Sequence, residues 1–201
     1  MKTSIITMFA IVALAVVTGN SASATTTNNG KEVSTVLTNI SKINKIEIHG
    51  NVELYVSDGS AEQVKVYNKY YSESALVQSK DGVLRITSYT DKKLVVWVTA
   101  NDLRAIDAYD NAEVKSFGNL SKIEFDVNLY NNATATLNLD AYRANVNVND
   151  SAKATLTGTA NDYTLKYASQ ANINIKDFAA VNSTTTLISS PEYKVTALAN
   201  L

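Results

Sequence analysis

From residue 43 onward the chain alternates apolar and polar residues with a period of two. Ile46 and Ile48, then Val52, Leu54 and Val56, then Val64 and Val66, then Leu84 and Ile86 each flank a polar or aromatic residue. This alternation predicts strands with one buried face. Leu94-Val95-Val96-Trp97-Val98 is apolar at every position and predicts a strand covered on both faces. Gly50-Asn51, Asp58-Gly59 and Asp81-Gly82 punctuate these runs. Together they predict a hairpin-rich β layer over residues 40–105. No stretch beyond the first two dozen residues has a helical period.

From Ile106 the pattern repeats itself. Asp110-Asn111-Ala112, Asn131-Asn132-Ala133, Asp150-Ser151-Ala152 and Ser169-Gln170-Ala171 are copies of one another, with alanines 21, 19 and 19 residues apart. Ser189-Ser190-Pro191 is a decayed fifth copy. Ile106 and Ala108, Val127 and Leu129, Val146 and Val148, and Leu165 and Tyr167 precede the alanines at constant spacing. Val114, Ala135 and Leu137, Ala154 and Leu156, and Ile173 and Ile175 follow them. Each copy reads as strand, tight corner, strand and return. One such coil cannot bury its apolar face alone, whereas stacked coils share a continuous core. The expected architecture is all-β: a short right-handed β-helix-like solenoid over 106–195, beside the hairpin-rich layer. Val127, Leu129, Val146, Val148, Leu165, Ile173 and Ile175 are its expected core. Asn and Asp tolerate left-handed backbone angles and suit sharp corners, and the alanine after them is expected to point inward. Because the corner row mixes Asp, Asn, Ser and Gln, it reads as a row of bends rather than a metal or glycan site.

The first residues form a separate unit. Met1-Lys2 is a positive start, Ile5 to Val17 is apolar apart from Thr7, and Ala22-Ser23-Ala24 is a small-residue cleavage pattern. Residues 1–24 read as a secretory signal peptide, too short for a span of about 20 apolar residues. Residues 25–39 are rich in Thr and Asn and read as a flexible linker. The remaining chain, 40–201, reads as one β domain with a short tail at 196–201. With no cysteine, it is expected to stand on its core alone, without disulfides and without the thiol of a lipoprotein anchor. A net charge of −1 gives no basic surface for nucleic acid.

The spacing I-x-I-x-G-x-x-x-L-x-V-x-x-G from Ile46 to Gly59, the strand Gly82 to Ile86, and Leu103-Arg104-Ala105-Ile106 before the short-cornered coils resemble a known family. It is the family called putative auto-transporter adhesin, head GIN domain, and the likeness runs from about Ile40 to Val195. The resemblance implies an exported protein of Gram-negative bacteria, built as two stacked β layers with a β-helix-like body. It supplies no catalytic residues. The corners Asp-Asn-Ala, Asn-Asn-Ala and Asp-Ser-Ala stand where that family usually has Gly-Ser-Gly.

Little in the sequence points to catalysis. His49 is the single histidine, no G-x-S-x-G elbow accompanies it, and it reads as structural. No His/Cys cluster suggests a metal, and no glycine loop suggests a phosphate cofactor. The enzyme alternative is a β-helix polysaccharide lyase or hydrolase using Asp107 with Asp126, or Asp110 with Asp150, as paired carboxylates. Tyr109 and Tyr130 occupy equivalent outward positions in consecutive copies and read as contacts for a sugar ring or a partner protein. Tyr67, Tyr70, Tyr71 and Tyr89 read as packing between layers. The expected function is a non-enzymatic exported binding protein, an adhesin or surface scaffold in the periplasm, on the cell surface or outside the cell. Its expected partners are a surface glycan or an envelope protein, with no cofactor, no nucleic acid and no membrane span in the mature chain.

Overall fold

The computed structural model describes residues 24–27, 34–37, 40–67 and 74–188. The leader read at 1–24, apart from Ala24, lies outside these residues, as do the corner at 189–191 and the tail at 196–201. Among the described residues every regular element is a strand. In chain order they are β1 (Ala24–Thr27), β2 (Ser34–Leu37), β3 (Lys45–His49), β4 (Val52–Asp58), β5 (Gln63–Tyr67), β6 (Ala75–Lys80) and β7 (Val83–Ser88). They continue as β8 (Leu94–Ala100), β9 (Ala105–Ala108), β10 (Glu113–Ser116), β11 (Leu120–Leu129), β12 (Thr134–Val148), β13 (Lys153–Ala168) and β14 (Asn172–Ile188).

All 14 strands belong to one mixed sheet with two arms that meet on β12. β10 lies parallel to the start of β12, with Glu113 opposite Thr134. β11 lies parallel to the rest, from Leu120 opposite Leu139 to Leu129 opposite Val148. One arm continues from β10 through β4, β8, β5 and β2 to β1; the other runs from β11 through β9, β3 and β7 to β6. β13 follows β12, and β14 follows β13. Thr134 opens β12 and pairs with Lys153, which comes just after the corner that closes it. The chain thus returns to the side of its own starting point, so the sheet is curled and its inner rows face one another.

Those inner rows are the alternating apolar residues. Val127, Val146 and Leu165 are register partners, and each is at most 3% exposed. Ile46, Ile48, Leu84, Ile86 and Ile106 from one arm and Leu54, Val56, Val96 and Val98 from the other join the same cluster. Each such side chain removed from water contributes about 1.5–3 kcal/mol. The four alanine corners are β-turns: Ala112, Ala133, Ala152 and Ala171 donate to the carbonyls of Tyr109, Tyr130, Asn149 and Ala168 at 3.0–3.2 Å. Ala112, Ala133 and Ala152 are fully buried, as small residues inside a tight bend must be.

Four expectations need correction. First, residues 40–105 do not form a layer of hairpins. β3 and β4 part at Gly50-Asn51 into different arms; β3 lies parallel between β7 and β9, and β4 parallel between β8 and β10. The bend there carries the chain from one buried face to the other, so each strand's ladder partners come from distant sequence. Asp81-Gly82 does close a hairpin, between β6 and β7, with φ of 50° and 81°. Second, Ile175 is 36% exposed and Ile173 is half-buried. They sit on β14, which has a strand partner on one side alone among the described residues. Third, the stretch read as a linker contributes β1 and β2. Thr35 of β2 is 6% exposed and lies opposite Val66 of β5, so β-branched Thr supplies strand where low hydrophobicity suggested none. Fourth, of the tyrosines assigned to packing between layers, Tyr89 is 68% exposed, and Tyr70 and Tyr71 lie outside the described residues.

Candidate functional site

The corners set the geometry of the outer surface beside them. Asp110, Asn131 and Asp150 have φ of 61°, 58° and 53°, and Gly50 has 80°. Each side chain caps the neighbouring corner. The Gly50 N–H donates to Asp110 Oδ2 at 2.9 Å, the Asp110 N–H to Asn131 Oδ1 at 3.2 Å, and the Asn131 N–H to Asp150 Oδ2 at 2.8 Å. The row therefore spends its oxygens on backbone donors, which is why Asp and Asn are interchangeable there. Among the described residues no group of three or more His, Cys, Asp or Glu side chains is placed to hold a metal ion.

The residue just before each bend points outward, and three of these residues are rings. His49 ends β3, Tyr109 follows β9 and Tyr130 follows β11. His49 stacks on Tyr109 with centroids 4.3 Å apart, and Tyr109 stacks on Tyr130 at 4.7 Å, each pair within 4° of parallel. Both spacings are close to the distance between neighbouring strands, so the backbone ladder sets the stack. Tyr109 and Tyr130, singled out from their spacing, are adjacent and half-buried. His49 extends the row, which the sequence reading missed because its segment carries no visible repeat. Burial pushes the Tyr109 phenol above its ordinary value, helped by the charge of Asp107.

A polar ladder runs beside the rings. Lys45 Nζ meets Asp107 Oδ2 at 2.5 Å, Asn128 Nδ2 donates to Asp107 Oδ1 at 2.7 Å, and Asn147 Nδ2 donates to Asn128 Oδ1 at 2.7 Å. The hydrogen bond to Asp107 raises the Lys45 ammonium above its usual range. Asp107, 6% exposed, is thus tied on both oxygens. Asp126 accepts from Asn145 instead, at 2.8 Å. Register sets Asn128 opposite Asp107, and Ala105 opposite Asp126, so these two acids do not face each other. Asp110 and Asp150 are separated by the corner of Asn131. Neither pair proposed for acid–base work is brought together.

The other arm carries a second aromatic group, of which sequence reading singled out Tyr67 alone, as packing between layers. Tyr55 of β4 stacks on Trp97 of β8 at 4.7 Å, Tyr67 of β5 meets Trp97 edge-on at 6.4 Å, and Phe117 leans on Trp97 at 5.2 Å. Trp97 stands opposite Tyr55 on one side and Lys65 on the other. Phe117 is 62% exposed. The tyrosine hydroxyl of residue 55 donates to Glu53 Oε1 at 2.9 Å, and Lys115 Nζ lies 2.5 Å from the same oxygen and 5.6 Å above the Tyr55 ring. Lys115 is raised to about 12, chiefly by its hydrogen bond to Glu53, and Glu53 is lowered chiefly by the same contact. The signal was present in the alternation of Val95, Trp97 and Thr99, but the parallel pairing of strands about 40 residues apart was needed to read it.

Comparison with solved structures finds the same fold in several bacterial proteins. A putative adhesin from Parabacteroides merdae superposes with a TM-score of 0.64 at 16% identity, covering 79% of this chain and 78% of that one. A putative adhesin from Parabacteroides distasonis gives 0.61 at 18% identity and covers 79% of each chain. A structure described as a putative lipid binding protein from Parabacteroides distasonis gives 0.58 at 12% identity, again covering 79% of each. These likenesses concern the fold. No curated protein matches by sequence. No helix among the described residues is long and apolar enough to cross a membrane. The family model described as "Putative auto-transporter adhesin, head GIN domain" matches residues 42–201, and the chain belongs to that family.

Proposed function

We propose that this chain is a non-enzymatic binding protein of the cell envelope, exported by the leader at 1–24, which acts as an adhesin or surface scaffold. The row of His49, Tyr109 and Tyr130 is its contact face, and a surface glycan or an envelope protein is its partner. The observation that carries this reading is the stack itself: three parallel, stacked rings on strands adjacent in the sheet, with centroids 4.3 and 4.7 Å apart. Rigid rings offer a large amphipathic contact at low entropic cost. We further propose that the curled sheet is a right-handed β-helix-like solenoid. The register that sets Val127 beside Val146 and Val146 beside Leu165 supports this, as do four equivalent turns along one edge. Such a frame holds the rings at fixed spacing without ligand-induced ordering. The test is attachment of the mature chain to isolated envelopes and to a glycan array. Tyr109→Ser with Tyr130→Ser should keep a cooperative melt and weaken attachment at least tenfold. Unchanged attachment by the folded double variant refutes the contact face.

A further inference from the structure

We infer that the open edge of β14 is an interface between two copies of this chain, joined strand to strand about a twofold axis. Among the described residues the sheet ends on three strands, β1, β6 and β14. β1 and β6 have four and six residues, and short edges offer little to pair with. β14 has 17 residues and no proline, and its Val181 and Leu187 are exposed. A long edge of this kind is a template for another strand.

A bend decides which strand fits. Along β12 the buried residues are Leu137, Leu139 and Ala141, then Ala144, Val146 and Val148. Along β13 the same change of parity falls between Ala160 and Tyr163. Side chains of a straight strand alternate strictly, so the inner face stays inward across such a change only where the strand bends. Register carries the bend to β14, with Ala180 opposite Ala160 and Ser183 opposite Tyr163. A straight extended segment can follow one half of β14. A second β14, turned about a twofold axis through the bend, follows both halves, because the axis exchanges them. It sets Ala180 opposite the partner's Ser183, Phe178 opposite the partner's Thr185 and Ile175 opposite the partner's Ile188. Lys176 and Asp177 fall opposite the partner's Leu187 and Thr186, so no like charges face each other. The span from Ile175 to Ile188 is about 45 Å at roughly 3.3 Å per residue. With an edge about 10 Å high, two copies together bury about 900 Å², at the low end of specific interfaces. The dimer is therefore one that dissociates on dilution.

The experiment is sedimentation equilibrium of the mature chain across the micromolar range. The parent should fit a monomer–dimer equilibrium. Val181 is 77% exposed and lies next to the partner's Val181 across the axis. Val181→Lys and Val181→Asp should each weaken the dimer at least tenfold by placing two like charges there, and the dilute variants should keep a cooperative melt. An equimolar mixture of the two variants should recover the dimer, since opposite charges then meet. Ile123→Lys, at a residue of β11 that is 84% exposed, should dimerise as the parent does. A parent that stays monomeric overturns the proposal, whatever else covers the edge. So does a dimer indifferent to both Val181 variants, a mixture that fails to recover it, or an equal loss in Ile123→Lys.

Discussion

Gly158 and Gly118 allow the curled sheet to be tested by adding one methyl group to each. Gly158 lies mid-strand in β13, opposite Leu139 of β12 and Phe178 of β14, with φ of 101°. A Cβ there would meet the Leu139 carbonyl oxygen at 2.0 Å and Asn138 Oδ1 at 2.9 Å. Asn138 can swing away; a ladder carbonyl cannot move without parting β12 from β13. Gly118 also has a positive φ, 85°, but a Cβ there meets nothing within 4 Å among the described residues. Gly118→Ala therefore carries only the backbone cost of a left-handed L-residue, about 1–2 kcal/mol. Gly158→Ala carries that cost plus at least one buried ladder group left unpaired, a further ~1–3 kcal/mol. At roughly 2–4 °C per kcal/mol for a chain of this size, Gly158→Ala should melt several degrees below Gly118→Ala. Melts followed by far-UV circular dichroism, with urea titrations to confirm an unchanged m-value, make the comparison. Equal shifts would show that β12 and β13 do not approach as closely as described, and the register of the central strands would fall with them.

Three further outcomes follow from burial and charge. Val148→Asp places an unpaired charge in a fully buried row and should cost about 3–5 kcal/mol. Ile175→Asp, at a residue 36% exposed, should cost within about 1 kcal/mol; paired denaturant melts decide, and similar losses would refute the open edge at β14. The Tyr163 hydroxyl is buried without a hydrogen-bond partner among the described residues, and burial raises it to about 12. Tyr163→Phe should therefore stabilise by about 1 kcal/mol. In the parent the unfolded phenol ionises near its ordinary 10 while the folded one stays neutral to about 12, so stability falls across that interval. The variant should lose this part of the alkaline decline in a pH series of melts. Glu53 is lowered from 4.5, first by Lys115 and also by the Tyr55 hydroxyl, against the opposing effect of burial. Its contribution is complete above 4.5 and is lost as pH falls through the lower folded value. Glu53→Gln should flatten that acid limb, and an unaltered acid profile would count against the clamp.

Local pattern determined the parts of this protein that depend on near neighbours. Alternation at Val127, Leu129, Val146 and Val148 specified both the strands and their buried face, because a pleat has a period of two. The Asp/Asn-x-Ala corners were legible because left-handed backbone and a buried small residue are requirements of single positions. The equivalence of Tyr109 and Tyr130 followed from the same repeat. Tertiary structure decided what depends on distant pairing. Chain order is not sheet order here: β7 and β8 lie outside β3 and β4, while β9 and β10 lie inside them. This permutation, with β5 and β6 intervening in sequence, hides any repeat before Ile106, and alternation alone cannot tell a hairpin from two strands in separate arms. It also placed His49 on Tyr109 and Tyr55 on Trp97, partners 60 and 42 residues apart. Ile175 shows the same limit from the other side. Its apolar character and spacing match the buried rows, but burial needs a neighbouring strand, and only the assembled sheet shows where the neighbours end.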